Sequence, residues 1–141
     1  DMEQIQQICV NMEHSYLGDL NIKIIAPSGE SVILKSGAGG GSCDLGEPVA
    51  TGPIDGAASS QMTDPGKGFD YCFSDSPDYG TMIDESNNYT HTYTDSLGHN
   101  LTDNYLPAGA YASEEPLSNL LGATKNGDWV IEVTDQFPED N

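Results

Sequence analysis

From Ile8 onward the chain alternates. Ile8, Val10 and Met12 fall on one side and Cys9, Asn11 and Glu13 on the other, the period of a half-buried strand within residues 4–13. The segment SYLGD interrupts it. LNIKIIA then places Leu20, Ile22 and Ile24 on one face, PSG at 27–29 supplies turn residues, and SVILK follows as a short β-branched run. The expectation is a strand–corner–strand–turn–strand meander. FDYCF at 69–73 reads as a compact aromatic strand. YTHTYT alternates strictly, with Tyr89, His91 and Tyr93 opposite Thr90, Thr92 and Thr94. LPAGAY reads as a strand entry, and SEEPLSNLLGATKNG holds one short helical turn. DWVIEVTD is a last strand with Trp129, Ile131 and Val133 on one face and Val130 and Glu132 on the other. No apolar spacing of helical period runs over three turns. The fold class predicted is all-β, with a core built from Ile8, Val10, Met12, Leu20, Ile22, Ile24, Val32 and Leu34, covered by Trp129, Ile131 and Val133, and sealed at one end by Phe69 and Phe73.

Between these runs lie two stretches without aliphatic rhythm, read as long surface loops at about 36–67 and 74–105. The first holds much of the chain's glycine. Its GAGGGS lacks the Lys of a phosphate-binding loop, and its acidic surroundings repel phosphate. The 141 residues suit one domain. The formal net charge is −19, with four Lys and no Arg, which removes nucleic acid and anionic lipid from the partners expected. No apolar run is long enough for membrane insertion. DMEQIQQ is no signal peptide, so a secreted protein would carry its signal upstream. Cys9, Cys43 and Cys72 show no CxxC spacing, and metal–thiolate chemistry is not expected. One bridge with a spare thiol and three free thiols are both open. Cys9 and Cys72 both fall on expected strands, and Cys43 falls in a loop.

His14, Ser15 and Asp19 sit within six residues and raise the question of a catalytic triad. Neighbouring side chains on a strand point to opposite faces, so His14 is badly placed to take a proton from Ser15. There is no nucleophile elbow and no HExxH. The reading favoured is structural: Asp19 accepts backbone N–H groups at the corner, with His14 and Tyr16 packed around it. Calcium is the cofactor this oxygen-rich chain could hold. No EF-hand loop is present, and the candidate ligands are Asp135 and Asp140 around the terminal turn, joined by Asp19 or Glu13. Tyr89, His91 and Tyr93 are a candidate aromatic platform for a glycan or protein, against the plainer reading of an exposed hairpin strand. Asn88 and Asn100 match the N-glycosylation pattern.

Three blocks, in order, resemble the P domain (Homo B domain) of kexin- and furin-like proprotein convertases, with a flavour closest to P-domain-like modules of secreted Bacteroidetes-type bacterial proteins. They are His14 and Tyr16 followed by GDLNIKIIAPSG, with Gly18 and Asp19; GFDYCF, with Phe69 and Asp70; and NGDWVIEVTD, with Trp129. Ala26 stands where the family usually has Ser. The resemblance implies a jelly-roll-like antiparallel β-sandwich without catalytic residues. It implies an accessory, stabilising role beside neighbouring domains of the same polypeptide, in a secreted or cell-surface protein whose parent could be a serine endopeptidase. It also implies border strands that residues 1–141 do not supply, hence open sheet edges. The alternative function is a glycan- or protein-binding surface module.

Overall fold

A computed structural model describes residues 3–37, 39–49 and 65–137. The expected strands form in the expected order, but only the second and third pair as a meander; the corner carries the first into another sheet, where it pairs with the strand at Phe69–Phe73. β1 (Ile8–Met12) leads through a 3-10 turn at Leu17–Asp19 into β2 (Leu20–Ile25), and a turn returns the chain as β3 (Ser31–Lys35). β4 (Asp44–Leu45) follows, then β5 (Phe69–Phe73), β6 (Tyr79–Thr81) and the four-residue α1 (Met82–Glu85). β7 (Thr90–Thr94), β8 (Asn100–Leu106), β9 (Gly109–Ala112), a 3-10 turn at Leu117–Leu120 and β10 (Val130–Asp135) complete the described chain. The all-β class holds.

The strands form three sheets, ordered β1-β5-β9-β6, β10-β2-β3 and β4-β8-β7. The second is wholly antiparallel. The other two mix directions: β1–β5 and β7–β8 are antiparallel, whereas β5–β9, β6–β9 and β4–β8 are parallel. The expected antiparallel sandwich therefore carries parallel joins, made where long polar connections let a strand return in the same direction. Sequence placed those connections in loops. They contain β4, β6, α1 and most of β8, short or polar elements that announce themselves by no apolar rhythm.

One buried cluster draws on all three sheets: Leu20, Ile22, Ile24, Val32 and Leu34 from the meander, Leu45, Tyr71, Phe73, Leu106 and Tyr111 from the others, with Leu17, Leu117 and Leu120 from the 3-10 turns. Ile8, Val10, Met12, Phe69, Trp129 and Ile131 pack against it only partly buried. Val133 departs from expectation. Its partner across the ladder is the fully buried Ile22, yet 43% of Val133 is exposed. β10 lies at a sheet edge, where the core thins. The free side of β3, in contrast, is covered by residues 113–116. The backbone N–H groups of Glu114 and Glu115 donate to Leu34 O and Ile33 O at 3.2 and 3.0 Å. Their carboxylates accept from Ser36 N and Ile33 N at 2.9 and 2.8 Å. Two glutamates thus stand in for a neighbouring strand, the covered edge that sheets need to avoid pairing with other chains.

Candidate functional site

The corner after β1 is fastened from several directions. His14 N donates to Leu45 O at 2.9 Å and Leu45 N returns the bond at 2.8 Å. Tyr16 N donates to His14 Nδ1 at 3.0 Å, so Nδ1 is an acceptor and the ring proton sits on Nε2, which faces Asp135 Oδ2 at 3.3 Å. Both nitrogens are engaged, and neither is offered to Ser15. Gly18 N donates to Gly41 O at 2.9 Å, and a Cβ on Gly18 would meet Gly41 N at 2.9 Å. The glycine of the GDL block is the residue that lets Gly41 come this close.

Asp19 acts differently from the expectation. Its backbone N–H closes on Tyr16 O at 3.1 Å and its carbonyl accepts from Gln136 N at 2.9 Å. Its carboxylate, with that of Glu114, supports the charge of Lys35. Lys35 is the residue sequence reasoning overlooked. It is fully buried, and Nζ donates to Leu17 O at 2.5 Å and Leu20 O at 2.9 Å, bridging the last carbonyls of the corner. Burial pushes its ammonium down from 10.5 to about 8, against the pull of Glu114 and Asp19. The signal available was a Lys at the end of an apolar strand, which reads equally well as a solvated strand end.

A second fastening is Tyr71. Its hydroxyl accepts from Gly46 N at 2.6 Å and donates to Leu106 O at 2.9 Å, satisfying two backbone groups where β4, β5 and β8 meet. Gly46 has φ +63°, and a Cβ there would collide with Lys67 O.

Tyr89, His91 and Tyr93 do not form one open platform. His91 stacks on Tyr105 at 4.0 Å with an interplanar angle of 4°, and Tyr93 leans on it at 4.7 Å. Tyr93 is buried, its hydroxyl donating to Pro48 O at 2.7 Å. Tyr89 packs edge-on against Tyr79 in a separate group that continues to Tyr111. The rings are used internally, under the 43–49 segment and beside β6. His91 Nε2 also faces the buried Asp44 Oδ2 at 3.4 Å, and burial lowers its pKa. His99 Nδ1 meets Asp95 Oδ2 at 2.8 Å. All three histidines of a chain with only four lysines face an aspartate.

The candidate calcium ligands are scattered in their engagements. Asp135 offers Oδ2 to His14 and Oδ1 to Phe137 N. Glu13 Oε1 accepts from Gly66 N at 3.2 Å. Asp19 faces Lys35, and Asp140 lies outside the described residues. Among the described residues no group of three or more His, Cys, Asp or Glu is arranged to hold a metal ion. Of the remaining motif residues, Asp70 accepts from Asn11 Nδ2 at 2.8 Å across β1–β5. Phe69 meets Tyr105 edge-on at 6.4 Å. Trp129 Nε1 donates to Lys125 O at 3.1 Å. The first two contacts join separate strands, and the third is local to the segment before β10.

The family model of the proprotein convertase P-domain matches residues 3–48. No curated protein and no solved structure matches the chain at a significant level. The matched span holds β1, the His14–Asp19 corner, β2, β3 and β4; of the three blocks that carried the resemblance it includes the first, whereas GFDYCF and NGDWVIEVTD lie outside it. Over its N-terminal third, this all-β chain is similar to the proprotein convertase P-domain.

Proposed function

We propose that this chain is a non-catalytic, stabilising β-sandwich of a secreted multidomain protein, acting as P domains act beside subtilisin-like proteases. The observation that carries the reading is the engagement of the corner. His14, the residue of the His14–Ser15–Asp19 group suited to base chemistry, has both ring nitrogens committed to Tyr16 N and Asp135. The family match covers that same corner, and a disulfide between Cys9 and Cys72 suits an oxidising compartment. Among the described residues no helix is long and apolar enough to cross a membrane.

The test is to express the whole open reading frame with and without residues 1–141 and to follow secretion and melting of the remainder. The reading expects a lowered melting temperature and reduced secreted yield without the domain. An unchanged remainder would refute it. A subtilisin-like segment encoded in the same frame would identify the partner domain as a protease.

A further inference from the structure

The Cys9–Cys72 disulfide joins directly registered residues of adjacent antiparallel strands, with Cα atoms 4.0 Å apart. It lies on the outer face of its sheet: Cys9 is exposed and Cys72 half-buried, whereas Tyr71 and Phe73 beside it point into the core. Its two sulfurs differ in what stands behind them. Thiol–disulfide exchange is a displacement in which the attacking sulfur, the attacked sulfur and the leaving sulfur line up. The bond joins the edge strand β1 to the inner strand β5, so a thiolate that displaces Cys72 from the Cys9 sulfur approaches from the β1 side. β1 is the outer strand of the sheet, with β5 its one strand neighbour among the described residues. A thiolate reaching the Cys72 sulfur must come from over β9, where Ala110 is in register with Cys72.

We infer that this bridge is a directional thiol-exchange site, in which a small external thiol attaches to Cys9 and Cys72 leaves. The thiolate of the external thiol forms a new S–S bond to Cys9 Sγ. The Cys9–Cys72 bond breaks, and its electron pair departs with Cys72 as a thiolate that takes a proton from water. A second external thiol can then displace the first from Cys9, completing a two-electron reduction of the protein and leaving the external thiols as a disulfide. The third cysteine stays out of the exchange. Cys43 is 2% exposed, and burial together with Asp44 pushes its thiol up to about 12, so little thiolate is present to scramble the pair. Opening the bridge leaves the edge strand held to β5 by its ladder and by Asn11–Asp70.

The lysine pattern makes the test direct. Cleavage after Lys23, Lys35, Lys67 and Lys125 puts Cys9, Cys43 and Cys72 on the separate peptides 1–23, 36–67 and 68–125. The native, oxidised protein is treated with glutathione, quenched early with iodoacetamide, digested with trypsin and weighed. The expected result is glutathione on peptide 1–23, carbamidomethyl on peptide 68–125, and peptide 36–67 unmodified until the chain is unfolded. The initial rate should follow the thiol concentration and stay constant at sub-denaturing urea. Glutathione mainly on peptide 68–125, an even split between the two peptides, or no reaction until urea unfolds the chain would each overturn the inference.

Discussion

Replacing Lys35 with Met removes a charge from the interior while keeping the side chain's length, and the effect should be read as a slope rather than a single value. At neutral pH two large terms oppose each other. Holding the ammonium in the interior disfavours the charged form by about 3 kcal/mol for a depression from 10.5 to about 8, which Met relieves. Met also leaves Leu17 O and Leu20 O without their donor, at about 1–3 kcal/mol each. The net change at pH 7 is thus a small difference with no dependable sign.

The pH dependence separates the terms. Between about 8 and 10.5 the unfolded chain binds more protons at Lys35 than the native one, so stability rises with pH in that window and is lost as pH falls through 8. The neutral amine still has two N–H groups for its two carbonyls. Cys43 works in the opposite sense: its thiol is raised from 9.0 to about 12, so it contributes stability below 9 that is lost as pH rises toward 12. The sum predicts a gain of about 1 kcal/mol between pH 7 and 9, a plateau just above, and a decline beyond 10, where the buried Tyr71, Tyr93 and Tyr111 hydroxyls hold their protons more tightly than in the unfolded chain. Urea unfolding at pH 7, 8 and 9 should show the midpoint rising at constant m in the parent protein, and flat or falling in Lys35→Met. A parent midpoint that does not rise, or a variant that keeps the same rise, would refute the reasoning.

Tyr71→Phe should lower stability by about 1–3 kcal/mol, because it orphans Gly46 N and Leu106 O in the interior; calorimetry at neutral pH checks this, and an unchanged melting temperature would contradict it. Glu115→Ala should uncover the outer side of β3 by removing the acceptor for Ile33 N. Concentration-dependent self-association on size exclusion is the expected readout, with a stability loss of about 1 kcal/mol. A variant that stays monomeric with full stability would show that the strap is not needed.

What the sequence disclosed follows from where apolar residues alternate. β1, β2, β3, β5, β7 and β10 each carry a two-residue rhythm or a β-branched run, and in β1, β2, β3 and β5 the burial follows it. β8 does not. Its NLTDNYL is exposed along much of its length, and its neighbours pair through polar ladders such as Thr92 with Thr102 at 2.9 Å. β4 is two residues long and gains its place from Tyr71 and the His14 bridge rather than from its own pattern. The corner was legible as a structural feature, but its working parts were not. Lys35, Tyr71 and the Glu114–Glu115 strap act through backbone atoms far away in the chain, and no local spacing announces such contacts. The Tyr89–His91–Tyr93 alternation marks the strand at Thr90–Thr94, but not which face turns inward, where Tyr93 is buried, because aromatic and polar rings serve either side.

The β2–β10 ladder sets a timetable for biosynthesis. Leu20 is paired with Asp135, so the second strand leaves the ribosome long before its mate exists. At about 5–20 residues per second, the delay is on the order of ten seconds. Throughout that interval the nascent N-terminal third can form its β2–β3 hairpin but lacks the strand that flanks β2 on the other side.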